Sequence, residues 1–190
     1  RLFNREKLLV YNTYQMYRHD KLADMKADHL IARETGFILG VKMVRGAYME
    51  KERKRASEMG YPSPIQPDKA ASDKDYNASL VYCVENIKEI GFVAGTHNEQ
   101  SSNLLAQLLD DHQISHNHPH VYFAQLLGMS DNLSFNLSDA DYNVAKYVPY
   151  GPIKAVLPYL FRRAQENTSV AGQSSRELLL IEKEKARRKI

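Results

Sequence analysis

Short apolar runs alternate with longer amphipathic stretches along the chain, and this pattern predicts strands that alternate with helices. The predicted strands cover residues 8–12, 37–44, 92–95, 121–124 and 143–148. Runs that are apolar throughout are typical of strands buried in a parallel sheet. Strands that alternate with helices imply right-handed parallel crossovers, so the pattern indicates the α/β class.

The predicted helices fill the intervals between these strands. Gly36 and Gly60 are expected to end the first two helices, and Asp73 is the expected N-cap of the third. Three prolines predict an extended loop over residues 61–72. The apolar stripe of the third helix is expected to be core, and its members are Tyr76, Leu80, Cys83, Val84, Ile87 and Ile90.

Two architectures fit this order of elements. A five-stranded doubly wound sheet would be complete within 190 residues, whereas a β/α barrel needs eight units and about 250 residues. No strand is followed by a Gly-x-Gly-x-x-Gly fingerprint, which weakens the dinucleotide-binding version of the doubly wound fold. No internal repeat distinguishes the two.

Composition and charge describe an ordinary globular protein. Apolar residues make up 43% of the chain and the formal net charge is +3. Acids and bases alternate over residues 50–55, which is typical of an exposed helix face, so no nucleic-acid partner is expected.

Cys83 is the single cysteine, which excludes an internal disulfide and a cysteine-based zinc site and fits a reducing compartment. Four histidines over residues 112–120 lie in a proline-containing loop, and no metal site is predicted there.

Polar residues stand where predicted strands end. Residues 96–99 read Thr-His-Asn-Glu directly after the third strand, and Lys42 is a charge within the second. Ligands of α/β folds bind at the carboxyl ends of strands. A lysine within an apolar strand needs a partner, so Lys42 is expected at a site or at an edge.

A second candidate lies near the end of the chain. The fifth strand turns through Pro149, Gly151 and Pro152 into a predicted helix that carries Arg162, Arg163 and Glu166, with a buried apolar face. Each guanidinium offers paired donors that match a carboxylate, and the glutamate is within reach of either arginine. The alternative interpretation is a solvated polar face.

Five motifs, taken in order, resemble the proline dehydrogenase family over nearly the whole chain. They are residues 42–48, residues 60–67, residues 96–99, residues 123–129, and residues 146–151 with 162–167. The resemblance is closer to the monofunctional and mitochondrial-type branch. In the bifunctional bacterial proline utilisation enzymes an arginine stands at the position of Lys42 and a glutamine at that of Asn12.

The resemblance implies a fold and a reaction. The fold is a (β/α)8 barrel of the TIM type, of which residues 1–190 would supply the last five units as a single incomplete domain, with a terminal helix over residues 174–190. The chain begins at Arg1, and we expect it to be the carboxyl-terminal portion of a longer enzyme. The implied reaction transfers a hydride from C5 of L-proline to FAD, gives 1-pyrroline-5-carboxylate, and passes the electrons to a quinone.

The resemblance also implies partners and alternatives. The location it implies is a bacterial or a mitochondrial inner membrane. Two interpretations of the charged residues after Ser175 stay open, contact with a membrane surface and a solvated terminal helix, and we favour the second. No oligomeric state is predicted. The related hydroxyproline enzymes carry a small residue at the position of Tyr147, so this tyrosine favours proline over 4-hydroxy-L-proline. A third hypothesis is a non-catalytic piece that folds only with a partner supplying the missing strands.

The matching motif positions also imply which residues form the site. The resemblance implies that the substrate is bound by Arg162, Arg163, Glu166, Tyr147, Tyr48, Ala47 and Leu126. It implies that FAD is faced by Asn12, Lys42, Val44, Arg45, Gly46, Thr96, His97 and Asn98.

Overall fold

The computed structural model describes residues 3–169 and 173–188, without the side chains of residues 163–169, 173–177 and 180. Five strands and seven helices follow one another in this part of the chain. Their order is β1 (Asn12–Gln15), α1 (Lys21–Thr35), β2 (Leu39–Val44), α2 (Met49–Met59), α3 (Lys69–Glu85), β3 (Ile90–Gly95), α4 (Glu99–Asp111), β4 (Val121–Leu126), α5 (Asp131–Asp139), β5 (Val144–Tyr147), α6 (Ile153–Ser169) and α7 (Gln173–Arg188).

The five strands form one parallel sheet in the order β1-β2-β3-β4-β5. Each strand therefore pairs with the next one along the chain. A doubly wound sheet reverses its strand order at a switch point, whereas successive units of a β/α barrel keep adding to the same edge. The observed order confirms the α/β class and favours the barrel over the doubly wound alternative.

The register divides the strand residues between two faces, because residues paired in register share a face and neighbours along a strand alternate. One face packs against the helices, and its members Tyr14, Val41, Met43, Phe92, Ala94 and Phe123 are all buried in the core. The opposite face is called the open face here. It carries Thr13, Gln15, Lys42, Val44, Val93, Gly95, Tyr122, Ala124, Leu126, Ala145 and Tyr147.

The first strand begins later than its apolar run predicts. Leu9 and Val10 are 60% and 53% exposed and lie outside β1. The side chain of Asn4 forms hydrogen bonds with their backbone groups. Its Oδ1 accepts from Leu9 N at 3.0 Å and from Val10 N at 2.9 Å, and its Nδ2 donates to Val10 O at 2.7 Å. Because these groups are bonded to Asn4, the predicted strand over residues 8–12 is wrong except at Asn12.

The third helix also begins elsewhere than predicted. It starts at Lys69, and Asp68 is its N-cap, with an extended backbone and a carboxylate that accepts from Ala71 N at 2.7 Å. Asp73 lies in the first turns of α3 and binds Arg45 instead. The predicted cap at Asp73 is therefore wrong.

Other predicted features are confirmed. Gly36 and Gly60 end α1 and α2 in the left-handed conformation, with φ of 70° and 72°. Ala56 is the buried residue of α2, so the charged residues of that helix form its exposed face. The stripe of α3 is buried as expected at Tyr76, Leu80, Cys83 and Val84. Its last two predicted members are not helical, because α3 ends at Glu85: Ile87 lies in the turn that follows, and the buried Ile90 begins β3.

Residues Val148–Ile190 form a second compact unit, which contains α6 and α7. Most apolar residues in the described part of α6 are exposed, with Ile153 at 74% and Phe161 at 64%, and Val156 is half-buried. Two helices alone offer little surface to cover such side chains, and the predicted buried face of this helix is not observed. In the described ranges no helix is both long and apolar enough to span a membrane.

Candidate active site

The carboxyl ends of the strands meet at one edge of the sheet, where β/α barrels carry their active sites. Residues 45–48 follow β2, residues 96–98 follow β3, and residues 127–130 follow β4. Most of the predicted site residues in Arg1–Tyr147 lie on these loops or on the last residues of the strands. The sheet therefore brings together loops that are far apart in the sequence, from residues 45–48 to residues 127–130.

Lys42 and Tyr147 approach each other across the open face. The ammonium of Lys42 lies 5.5 Å from the centre of the Tyr147 ring, within the range of a cation–π interaction. The two residues belong to β2 and β5, which are separated by two other strands. The structure thus joins a predicted flavin residue with a predicted substrate residue in one arrangement.

Small residues form the floor between Lys42 and Tyr147. Gly95, Ala124 and Ala145 are in register on three adjacent strands, one level above Lys42 and one level below Tyr147. Residues of this size leave the sheet accessible to a flat group lying over it. At Gly95 a Cβ would lie only 2.9 Å from Met43 O, so a larger residue does not fit without a shift.

The other predicted substrate residues of the sheet lie at the same edge. Leu126 pairs in register with Tyr147, and Leu127 N donates to Tyr147 O at 3.1 Å. Ala47 and Tyr48 follow β2, both are exposed, and Tyr48 stands directly before α2. These four residues therefore belong to one end of the sheet.

Arg162, Arg163 and Glu166 lie on α6, in the second compact unit. The side chain of Arg162 is half-buried, and those of Arg163 and Glu166 are outside the described residues. The predicted carboxylate clamp stays a prediction.

Arg45 points to the helix side of the sheet and joins three elements. Its Nε donates to Asp73 Oδ1 at 2.5 Å, Nη1 to Thr96 Oγ1 at 2.7 Å, and Nη2 to Ser101 Oγ at 2.9 Å. The guanidinium also lies 4.3 Å from the centre of the Tyr76 ring. Every guanidinium nitrogen has a protein acceptor, so these contacts give Arg45 a supporting role.

Charge and burial act together at this cluster. Burial tends to raise the pKa of Asp73, but hydrogen bonds from Lys69 and Arg45 outweigh burial and hold that pKa below its usual value. Burial raises the pKa of the Tyr76 hydroxyl. The carboxylate of Asp73 is therefore ionised at neutral pH and pairs with Arg45.

The contacts of Thr96 and Asn98 continue this support. Thr96 is buried, and its Oγ1 accepts from Asn98 N at 3.0 Å as well as from Arg45. Asn98 caps α4, with Oδ1 accepting from Ser101 N at 3.0 Å. Three of the predicted flavin residues thus share one hydrogen-bonded framework behind the edge of the sheet.

Gly46 is required by the backbone. Its φ is +122°, and a Cβ at this position would lie 2.3 Å from the Tyr17 ring. A glycine is therefore the residue that lets the chain turn from β2 over the ring of Tyr17.

Asn12 and Gln15 lie on opposite faces of β1. Asn12 pairs in register with Val41 on the helix side, whereas Gln15 pairs with Val44 on the open face. The predicted contact of Asn12 with the flavin gains no support from this placement. Sequence reasoning missed Gln15, although its odd spacing from Asn12 in a strand indicates the opposite face.

His97 is held by the loop after β4. Its Nδ1 lies 3.0 Å from Ser130 Oγ. Nearby, Gln125 Nε2 donates to Thr96 O at 3.2 Å, and Gln125 Oε1 accepts from Ser134 Oγ at 2.9 Å. Sequence reasoning missed Gln125, Ser130 and Ser134, because no spacing in the sequence signals contacts between β4, α5 and the loops after β3 and β4.

A cavity of about 570 Å³ lies at the other end of the open face. It is lined mainly by residues that precede or begin the strands, among them Leu8, Tyr11, Ile38 and Tyr122, and it reaches the middle of the sheet at Val93 and Ala145. The interior of a β/α barrel is packed with side chains at this depth, and its chemistry takes place at the carboxyl edge. We therefore assign the site to the carboxyl edge. No cluster of three or more metal-binding side chains occurs among the residues that the structure describes.

Comparison with known families agrees with this placement. The family model described as proline dehydrogenase matches residues 1–176. The chain belongs to the proline dehydrogenase family. Relatives include human proline dehydrogenase 1, mitochondrial, which is 42% identical over 99% of this chain and 32% of its own length. Hydroxyproline dehydrogenase of Xenopus laevis is 40% identical over 97% of this chain and 41% of its own length.

Solved structures confirm the fold. Proline utilization A from Bdellovibrio bacteriovorus, inactivated by N-propargylglycine, superposes on 84% of this chain and 16% of its own with a TM-score of 0.79 and 30% identity. A variant of the Bradyrhizobium japonicum protein gives a TM-score of 0.76 at 27% identity, over 86% of this chain and 16% of its own. The five parallel strands are part of a TIM-type barrel. The chain spans about a third of the length of the mitochondrial relatives.

Proposed function

We propose that this chain supplies the carboxyl-terminal strands and the substrate pocket of a flavin-dependent proline dehydrogenase. The observation that carries the proposal is the approach of Lys42 to Tyr147 across a floor of small residues, at the edge of the sheet where barrels bind their ligands. Experiments are described for a polypeptide that contains this chain and completes the barrel, called the completed protein here.

The chemistry of the open face fits a flavin. An ammonium at Lys42 would favour the reduced, anionic form of the ring, and the floor of Gly95, Ala124 and Ala145 leaves room for a planar group. Gln15 and His97 add hydrogen-bonding groups at the same edge. FAD, when bound, would supply the redox chemistry, and the protein would hold it and tune it.

L-proline is the proposed substrate. A saturated ring offers only its carboxylate and its amine to recognition, so specificity needs a charge clamp at one end and side chains that fit its shape at the other. Arg162 and Arg163 would clamp the carboxylate, with Glu166 holding the arginines. Tyr147, Tyr48, Ala47 and Leu126 would enclose the ring. Loss of a hydride from C5 and of a proton from nitrogen leaves the C=N bond of 1-pyrroline-5-carboxylate.

The clamp is tested by Arg162→Met and Arg163→Met in the completed protein. One lost charge-assisted contact is worth roughly 1.5 to 3 kcal/mol, which corresponds to a KM for proline about 10 to 150 times higher. Lysine at either position keeps the charge but loses the paired geometry. The KM of Arg162→Lys for proline should therefore fall between those of the wild type and Arg162→Met. An unchanged KM in both methionine variants would remove the clamp from the account.

A second candidate substrate is 4-hydroxy-L-proline. The hydroxyproline dehydrogenases of Xenopus laevis and Bos taurus are 40% and 39% identical to this chain. Tyr147 favours proline, because a large ring in the pocket leaves little room for the extra hydroxyl. Comparison of kcat/KM for the two substrates decides between them, and Tyr147→Ser should move the preference toward hydroxyproline. A wild-type preference for hydroxyproline would reverse our choice.

We infer a quinone as electron acceptor and a location at the mitochondrial inner membrane, since the animal relatives are named mitochondrial. The last turn of α7 carries Lys185, Arg187 and Arg188, and although Glu184 pairs with both arginines, the turn keeps a positive charge that suits an anionic membrane surface. Faster oxidation of the reduced protein by a soluble quinone than by oxygen, together with salt-sensitive binding to anionic vesicles, is the expected result. Equal rates with both acceptors would argue against a quinone.

A non-catalytic role is the alternative from another class. Five strands leave β1 and β5 at the edges of the sheet, and such edges need partners. A completed protein that is purified without a flavin absorbance band and does not take up added FAD would favour this alternative. A yellow protein whose colour proline bleaches would exclude it.

A further inference from the structure

Ser130 has an uncommon backbone for its residue type. Its φ and ψ are 50° and 45°, in the left-handed region, where a side chain with a Cβ costs free energy. Glycine would adopt this conformation without the cost. Strain of this kind persists only where the surroundings hold it, and it is often found where a side chain must point to one place.

The surroundings of Ser130 hold the strained turn from two sides. Lys146 donates to Met129 O at 2.8 Å and to Asp131 Oδ1 at 2.7 Å, on either side of Ser130 in the sequence. Ser130 O accepts from Ser134 N at 3.1 Å in the first turn of α5. The turn is therefore fixed to β5 and to its own helix, and Ser130 itself is only 7% exposed.

The hydroxyl of Ser130 lies against the loop after β3. Its Oγ is 3.0 Å from His97 Nδ1. A hydrogen bond at one imidazole nitrogen sets the rotation of the ring and the position of the proton on the other nitrogen. A second link lies nearby: Gln125 Nε2, near the end of β4, donates to Thr96 O at 3.2 Å and ties that strand to the loop after β3.

We propose that Ser130 is a positioning residue, which fixes the orientation and tautomer of the His97 imidazole at the flavin site. The inference rests on the proposed function, because the purpose of the oriented ring is contact with the cofactor. It assigns a reason to the strained serine: the left-handed turn aims the hydroxyl at His97, and a glycine would lack that hydroxyl.

Two substitutions separate positioning from structural support. Ser130→Ala and Ser130→Gly both remove the hydroxyl, but glycine relieves the backbone strain and alanine keeps it. The glycine variant should therefore unfold at higher urea concentration than the alanine variant. If Ser130 positions His97, both variants should nevertheless alter the imidazole in the same way.

The direct measurement is ¹⁵N NMR of the flavin-free completed protein labelled at histidine, with the His97 signals assigned by their loss in His97→Gln. We expect both Ser130 variants to change the tautomer ratio and the titration of His97. We also expect FAD to bind roughly fivefold more weakly, as for the loss of one hydrogen bond. Gln113→Gly is the matched control, because Gln113 has a similar φ of 54° on another turn, and it should change neither quantity.

The outcomes distinguish this inference from the proposed function. His97 signals and FAD affinity that stay as in the wild type in Ser130→Gly would overturn the positioning role, even where proline is still oxidised. A tautomer change in both variants supports the role and is measured without flavin, so it stands even if the protein proves not to oxidise proline.

Discussion

Lys42 and Arg45 are cations three residues apart, yet they serve opposite sides of the sheet. Arg45 has a protein acceptor for each guanidinium nitrogen and an aromatic ring beneath it. The ammonium of Lys42 lies over the Tyr147 ring on the open face, and within the described ranges no carboxylate lies within 4 Å of it. A cation whose nitrogens are all bound within the protein supports the fold, whereas one on the open face is placed for a ligand.

The largest effect expected from this comparison is loss of stability in Arg45→Met. The substitution leaves Asp73 without its partner and removes the links to Thr96 and Ser101, which we expect to cost about 3 kcal/mol of unfolding free energy. Urea unfolding of the completed protein measures it. Arg45→Lys keeps the charge but not the three-way geometry and should lose less. Wild-type stability in Arg45→Met would mean that the framework is dispensable.

The corresponding substitution, Lys42→Met, should weaken activity toward proline and leave stability nearly unchanged. In Lys42→Met, unfolding free energy should change by less than about 1 kcal/mol, because the half-buried lysine loses a single cation–π contact. Loss of a charge contact of roughly 1.5 to 3 kcal/mol should lower kcat/KM for proline by about 10- to 150-fold. Lys42→Arg serves as the charge-retaining control. If Lys42→Met unfolds like Arg45→Met, the two cations do not differ as we describe.

Two aspartates of the α3 region test whether the charge of Arg45 matters for stability. Asparagine can replace the aspartate that caps the helix but not the aspartate that pairs with Arg45. Asp68 accepts a backbone hydrogen bond at the N-cap, which asparagine also does, so Asp68→Asn should be nearly neutral. Asp73 pairs with Arg45, and Asp73→Asn should cost about 1 to 2 kcal/mol. Thermal unfolding of the two variants side by side gives the comparison. Equal losses would contradict it.

The smallest effect is expected at His116, far from both cations. A hydrogen bond with Asp110, followed by one with Ala140 O, raises the pKa of His116 above its usual value. A raised pKa in the folded state stabilises the protein below the unfolded pKa of about 6.5, and this contribution is lost as pH rises through the folded value. The melting temperature of His116→Gln should therefore trail the wild type more at about pH 5.5 than at about pH 8.5. The reverse trend would show that the pKa is not raised.

Much of the fold was predictable because its causes are local. Apolar runs, helix-ending glycines and the alternation of elements gave five strands in the right order, and Gly36 and Gly60 ended their helices as expected. The prediction failed at residues 8–11, where the side chain of Asn4 binds the backbone that a strand would have used. A contact between a loop side chain and a distant backbone has no signature in the sequence.

The sequence predicted which motifs form the site, but it predicted less well what each side chain does there. The resemblance assigned Lys42, Arg45 and Thr96 to one flavin site. The register places Lys42 on the open face, whereas hydrogen bonds to Thr96 and Ser101 place Arg45 behind the sheet. The register also shows that Gln15, and not the predicted Asn12, is the polar residue of β1 nearest the site on the open face. Ser130 could not be found at all, because its importance depends on a backbone angle and on a neighbouring loop.

The most direct test of the account is anaerobic titration of the completed, flavin-loaded protein with L-proline, followed by absorbance. We predict that proline bleaches the flavin band of the wild type and of Lys42→Arg, and that Lys42→Met requires far more proline or far more time. A flavin that stays oxidised in the wild type at saturating proline would contradict the assignment of this sheet edge as the site of proline oxidation.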